Sequence, residues 1–380
     1  MEFFGRRAAH WSLILLFFIA TARHVGRAQD ASEGSSSGGS WTTSSELKAR
    51  DVTANPTRTT TTHSEVNGRT VEKTVTEALG PDGRYVPYSE VERESVRVND
   101  ATVQNIERSY GRADGQRVLT QETREEVRSF PDGARKVSRT TSNPDGNGGL
   151  QVVQRAVVDS KQVDPGVRET KTTVWSADGT GGLSPSVQID EREVKRDANT
   201  INFTRSTSLA DGAGHWAVSE VREGTSSKEA GGIVKDETVR RPDANGRMTV
   251  AERTVTRQSA AGPGERNEST ATYSTDVPGQ AGGDTLQLVK RESTVQRTGT
   301  GGASSTVWRV EKTNPGDPGA GLRVTQEAID IVRPGANGTA SQSSTILNAD
   351  PNGHLNTVWV DIGQTNNPAV VKVDVAPAKK

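Results

Sequence analysis

The chain has 380 residues, 31% hydrophobic and 4% aromatic, and its 47 Lys+Arg nearly cancel 48 Asp+Glu. A net charge of -1 gives no basis for a nucleic-acid or anionic-membrane partner. The absence of cysteine excludes disulfides, thiolate metal sites and cysteine nucleophiles.

Residues 1–28 read as a secretory signal peptide. Arg6 and Arg7 form a basic start, and Trp11 to Ala20 an apolar run. Small residues then suit cleavage after Ala22 or Ala28. The apolar run is shorter than the roughly 20 residues that span a bilayer, which favours a cleaved signal over an anchor. No later stretch is apolar enough to form a transmembrane helix. The expected location is therefore periplasmic, cell-surface or extracellular. Residues 29–63, with Ser35 to Ser40 and Thr59 to Thr62, have the composition of a flexible tether.

From residue 64 to 371 the chain repeats itself about every 33 residues. Pro144-Asp145-Gly146-Asn147-Gly148 returns as Pro242-Asp243-Ala244-Asn245-Gly246. Related turns start at Ala177, Ala210 and Ala349, and weaker ones near Pro81, Ala113, Asp276 and Pro315. A second turn lies midway in each unit, as at Pro131-Asp132-Gly133 and Asp164-Pro165-Gly166. Such sequences supply the positive φ of tight hairpins. Segments of 10–14 residues between turns leave no room for crossover helices. Val outnumbers Leu, and Thr is abundant, which favours strands. The fold expected is all-β: tandem β-hairpin repeats forming a long twisted antiparallel meander, able to curl into a spiral or shell. Residues 372–380 remain as a C-terminal tail.

Leu150, Leu183, Trp216, Met248, Leu322 and Leu355 open outgoing segments, and Trp175, Leu209, Tyr273 and Leu347 close incoming ones. Stacked across hairpins, they predict a hydrophobic band near one set of turns. Leu150, Val152, Gln154, Ala156 and Val158 read as one largely apolar face. Cross-strand Arg/Glu and Thr pairs are expected to hold the strand middles, at roughly 0.2–1 kcal/mol each. Glu122-Thr123-Arg124-Glu125-Glu126-Val127-Arg128 puts charge on both faces, unlike the apolar outer wall of a membrane barrel.

No metal-binding helix, phosphate loop or nucleophile elbow is present, so no catalytic residue, metal or cofactor is predicted. The Asp/Asn turns offer too few ligands for a strong calcium site and read as hairpin chemistry. Thr173-Val174-Trp175, Thr306-Val307-Trp308 and Thr357-Val358-Trp359 form a recurrent triplet, and His215 and His354 share a repeat position. Trp175, His215, Trp216, Trp308, His354 and Trp359 are therefore the candidate ligand contacts, suited to a cell-surface glycan or protein. The alternative is that each Trp serves mainly as core, burying about 150–250 Å².

The Asp-Gly turns between Thr/Arg/Val segments resemble the tyrosine-aspartate repeat shells of bacterial surface and toxin proteins. The likeness is one of turn type and β-rich composition. Those repeats are shorter and carry a Tyr-Asp signature, so the resemblance implies no function here. The composition and repeat predict a non-catalytic structural or interaction protein, with a carbohydrate- or peptide-binding module as the alternative.

Overall fold

The computed structural model describes residues 40–365, except 50–56, 67, 81, 114, 230, 263, 281–282, 284, 336–339 and 351. The signal peptide, the first part of the tether and the C-terminal tail lie outside the described residues. Two units are distinguished, Met1–Gly38 and Gly39–Lys380, and all that follows concerns the second.

Twenty strands, β1 (Ser40–Ala49) to β20 (Leu355–Thr365), form one sheet in which each strand pairs antiparallel with the next. Strand β1 pairs with β2 on one side and with β20 on the other, Ala49 standing opposite Trp359. Strands β1 and β2 (Thr57–Val66) lie where composition suggested a tether. Thr59 to Thr62 are β-branched and find a ladder partner in β3 (Arg69–Leu79), and pairing supplies what composition alone does not.

Every repeat start read from the sequence falls at a turn joining an odd strand to the following even one. The midway turns fall at the opposite end of the sheet. The repeat is thus nine hairpins, from β3 with β4 (Tyr85–Asn99) to β19 (Ala340–Ala349) with β20. The even strand of each of these nine hairpins carries a β-bulge a few residues after it begins, at Tyr88, Thr120, Val153, Ser186, Ser219, Ala251, Val289, Thr325 and Val358. Where the bulged residue carries a hydroxyl, that group often bonds back across the hairpin. Thr120 Oγ1 donates to the Ser109 carbonyl at 3.0 Å, Ser219 Oγ to Thr207 at 3.1 Å and Ser186 Oγ to Val174 at 3.2 Å.

The bulge reverses side-chain alternation along its strand, since a one-residue insertion exchanges faces. This corrects the single apolar face read for β8 (Leu150–Asp164). Leu150 and Val152 precede the bulge at Val153, and Gln154, Ala156 and Val158 follow it. Ala156 and Val158 therefore stand on the face opposite Leu150 and Val152.

Residues opposite one another on paired strands share a face, so the registers define two faces throughout. The Ile189 face holds most of the buried apolar side chains. Val103, Val127, Val137, Val158, Thr172 and Ile189 form one row across β5 (Thr102–Ala113) to β10 (Leu183–Lys195). Val174 and Val187 pair in the adjoining row, and both are buried. Trp308, Val310, Ala328 and Ile346 continue this face in β17 (Ser304–Asn314), β18 (Asp317–Pro334) and β19 (Ala340–Ala349). The Lys171 face is more exposed.

Polar pairs hold the strand middles on both faces, as the sequence suggested. Thr61 and Thr74 share a hydrogen bond of 2.9 Å, and Thr256 and Thr270 one of 3.0 Å. On the Ile189 face Arg139 pairs with Glu125, and Arg222 with Glu237 at 2.8 Å. On the Lys171 face Arg108 meets Glu122 at 2.7 Å and Arg309 meets Glu327 at 2.6 Å. A lipid-facing strand wall needs an apolar band about 25 Å tall. Neither face presents one among the described residues.

Candidate functional site

The features most regularly repeated are the nine hairpin tips. Strand β12 (Trp216–Glu229) pairs with β11 (Thr200–Ala210) from Trp216 onward, but meets β13 (Gly232–Pro242) only from Val221. Strand β8 likewise joins β7 (Arg135–Pro144) from Leu150 and β9 (Val167–Ala177) only from Gln154. In all nine hairpins the outward neighbour is engaged only past the bulge. Each tip therefore projects past its outward neighbour on the even-strand side, while the odd strand stays paired with the strand before it close to the turn, as Trp175 and Ser176 do with Arg155 and Gln154.

One turn chemistry closes five of these tips. Asp211 Oδ1 accepts the backbone N–H of Ala213 at 2.8 Å and of His215 at 3.1 Å. The Asp211 N–H donates to the His215 carbonyl at 3.1 Å. Asp145, Asp178, Asp243 and Asp350 make the same bonds to the second and fourth residues that follow. These donors hold the carboxylates of Asp178, Asp211 and Asp350 below the usual aspartate value; the leading causes are the Thr180 hydroxyl, the His215 ring and the His354 backbone N–H, respectively. Their carboxylates serve hairpin closure, and among the described residues no group of three His, Asp or Glu side chains could hold a metal.

The predicted hydrophobic band exists, and it lies on the Lys171 face. Tyr85, Leu119, Leu150, Val152, Trp175, Leu183, Trp216, Met248, Tyr273, Leu288, Leu322, Leu347 and Leu355 all stand there near the tips. Leu209 is the exception, pairing with Val187 on the opposite face. The band remains partly open to solvent: Leu150 is 42% exposed, Trp216 39% and Val218 44%.

The candidate ligand contacts do not form one cluster. Trp175 and Trp216 share the Lys171 face at the tip end, three strands apart, with His215 at the turn beside Trp216. His215 Nδ1 lies 3.0 Å from Asp211 Oδ2, and His354 Nδ1 3.4 Å from Asp350 Oδ2. Trp308 sits in the middle of β17 on the Ile189 face, opposite Ala328. Trp359 follows the β20 bulge and pairs in register with Ile346. The Thr-Val-Trp triplet is therefore not structurally equivalent in its three occurrences: one ends a strand, one is central and one adjoins a bulge.

Two features escaped sequence reasoning. In the first, the buried Glu90 on β4 (Tyr85–Asn99) lies 2.9 Å from Lys73 Nζ and 2.7 Å from Arg117. Arg117 also reaches Glu92 at 2.7 Å and covers the Tyr110 ring at 3.5 Å. Burial pushes the Glu90 carboxyl upward, but Lys73, Arg117 and Arg112 outweigh it and hold the group below its usual value. Burial is likewise outweighed at Glu122 by Arg124 and Arg108, at Glu220 by Arg222 and Arg241, and at Glu237 by Lys235 and Arg222. Depressed carboxyl values stabilise the fold above the unfolded glutamate value of about 4.3, and this is lost as pH falls through the folded values. The urea midpoint should thus hold steady from neutrality to about pH 5 and fall below about 4.3, with a shallower fall in Glu122→Gln. Equal acid sensitivity of both proteins would remove Glu122 as a contributor.

The second is a trough of about 790 Å³ on the Lys171 face of β7 to β11. Its walls are two rows of long charged side chains, Lys136, Asp159, Lys171 and Asp190 in one and Lys161, Glu169 and Arg192 in the other. Only the spacing of single residues on neighbouring strands announces it, and that spacing requires the register.

The fold and tips define a tandem β-hairpin repeat protein. No family model matches the sequence, and no curated protein does. Among solved structures, the chain is similar to the siderophore receptor PirA from Acinetobacter baumannii, at 7% identity and a TM-score of 0.47, covering 88% of this chain and 81% of that one. It is similar also to the ferric enterobactin receptor PfeA from Pseudomonas aeruginosa, in a double mutant (7% identity, TM-score 0.47, 86% and 80% covered). A mutant porin from Rh. blastica follows at 9% identity and a TM-score of 0.36, with 86% and 99% covered.

Proposed function

We propose that this chain is an exported, non-catalytic structural or interaction protein acting at the cell envelope or outside the cell. The observation supporting this most directly is the ninefold recurrence of one projecting tip, with the same bulge and with apolar side chains on the same face. Repeated equivalent surfaces suit multivalent contact, where linked weak sites gain avidity without any single strong one. A single reaction would need unlike groups brought together at one place. The export part rests on the Arg6/Arg7 and Trp11–Ala20 pattern. N-terminal sequencing of secreted or envelope-fraction protein should find a chain beginning at Arg23 or at Gln29, the residues that follow the two cleavage positions. Recovery of intact chain from the cytosol alone would overturn the proposal.

A second reading, a glycan- or peptide-binding module, is favoured by the shared face of Trp175 and Trp216. Under it, Trp175→Ala/Trp216→Ala should keep the circular dichroism of the parent yet lose retention on immobilised glycans by about tenfold or more, as expected for removing aromatic anchors. Trp308→Ala, on the opposite face, should leave retention unchanged. Equal retention by all three proteins would return both tip tryptophans to a packing role.

A further inference from the structure

The trough on the Lys171 face has a charge order that is its own complement. Lys136, Asp159, Lys171 and Asp190 stand opposite one another on β7, β8, β9 and β10, giving the sequence plus, minus, plus, minus. All four side chains are exposed. Lys136 and Asp159 approach to 3.5 Å, whereas no ion pair within 4 Å forms at Lys161 or Lys171 among the described residues. Glu169 lies 4.0 Å from Arg192, and Asp190 accepts the Gln188 amide at 2.6 Å, so the charges alternate while the two lysines on β8 and β9 keep theirs available.

We infer that this face pairs with the same face of a second copy, the two lying side by side with their strands parallel. A two-fold axis running along the strands between β8 and β9 reverses the strand order and preserves height along each strand. Lys136 then faces the second copy's Asp190, and Asp159 faces the second copy's Lys171. One row further from the tips, Lys161 faces the second copy's Glu169. The same operation brings tip band against tip band. It also sets Trp175 against the second copy's Arg155, a pairing whose chemistry already occurs within the chain, where the Arg155 guanidinium lies 5.9 Å from the Trp175 ring centre. An isologous contact demands self-complementarity of this kind. A partner of uniform charge, such as an anionic polymer, would meet Asp159, Asp190 and Glu169 as repelling groups among the attracting ones.

The area is adequate. Four strands about 4.8 Å apart, over about ten residues at 3.4 Å each, give roughly 650 Å² of projected surface. This is close to the roughly 800 Å² per partner of a standard interface. The proposal is independent of the functional reading above, since it concerns only how copies associate.

Charge exchange tests it. Asp159→Lys alone sets lysine against Lys171 across the axis, and Lys171→Asp alone sets aspartate against Asp159. Each variant of the full chain should be monomeric in sedimentation at low salt, with self-association weakened by about tenfold or more. A mixture of the two restores both contacts and should form a mixed dimer, while the unaltered protein is dimeric at low salt and dissociates near 1 M salt, where screening acts within about 3 Å. Lys161→Glu and Glu169→Lys provide a second complementary pair should either first variant lose its β-sheet circular dichroism. A monomeric parent protein at low salt, or folded complementary variants that stay monomeric when mixed, would overturn the proposal.

Discussion

Replacing Gly224 by alanine is expected to destabilise the sheet by about 3 kcal/mol, at the upper end of ordinary overpacking costs. Gly224 lies within β12, paired with Phe203 on β11 and with Glu237 on β13. A β-carbon there would overlap the Asp236 carbonyl oxygen and come within 2.8 Å of Phe203 Cζ. Neither neighbour yields easily. The carbonyl belongs to the ladder, and the phenylalanine ring is covered by Lys235, whose Nζ stands 4.7 Å from the ring centre. The glycine thus leaves its place to the aromatic ring of the adjoining strand, an arrangement that compensates for a missing side chain in a sheet. Urea unfolding measures the loss. Alanine tolerated within about 0.5 kcal/mol, the range of ordinary surface changes, would show that β12 can shift to receive it.

Ile189→Ala is expected to cost about 2–4 kcal/mol, within the range for truncating a buried isoleucine. Ile189 is 2% exposed, stands between Thr172 and Thr207 in the row that runs from Val103 on β5, and is flanked along its own strand by the buried Val187. In a single-layered sheet there is little second layer to fill the void. Ile201→Ala provides the contrast, because Ile201 is 40% exposed and its truncation should stay near 0.5 kcal/mol. Similar losses at both positions would mean that the Ile189 row is no core.

Much of this architecture is legible in the amino-acid sequence. Asp-x-x-Gly and Pro-Asp-Gly sequences announce reversals because few residues tolerate positive φ, and Gly146, Gly179, Gly212, Gly246 and Gly353 do adopt it. Their period yields the nine hairpins. The hydrophobic band is legible for the same reason, since residues flanking equivalent turns occupy equivalent heights.

The bulges are not legible. Their residues range from Tyr88 and Val153 to Ser219 and Ala251, so no side chain marks them; the extra residue is a property of the backbone. The one usable trace is a hydroxyl at several of them, together with a break in alternation at Val153. Without the bulges, faces are misassigned along β8, and Leu209 is grouped with residues on the other side of the sheet. Position within a strand is equally hidden for the Thr-Val-Trp triplets, where local sequence is shared and register is not. Charge on both faces, by contrast, can be read directly from runs such as Glu122 to Arg128.

The separation of the tips from the continuous sheet carries a practical consequence. Because the even strand of a tip, up to its bulge, pairs with its own odd strand and not with the outward neighbour, a change in the length of the turn leaves every downstream register untouched. The chain already contains such a case: the connection from β15 (Glu265–Ser274) to β16 (Gln287–Thr298) is longer than its counterparts, yet both strands keep their partners. Each tip is therefore a place where foreign peptide could be spliced in, so that one chain would carry several grafted segments at regular intervals.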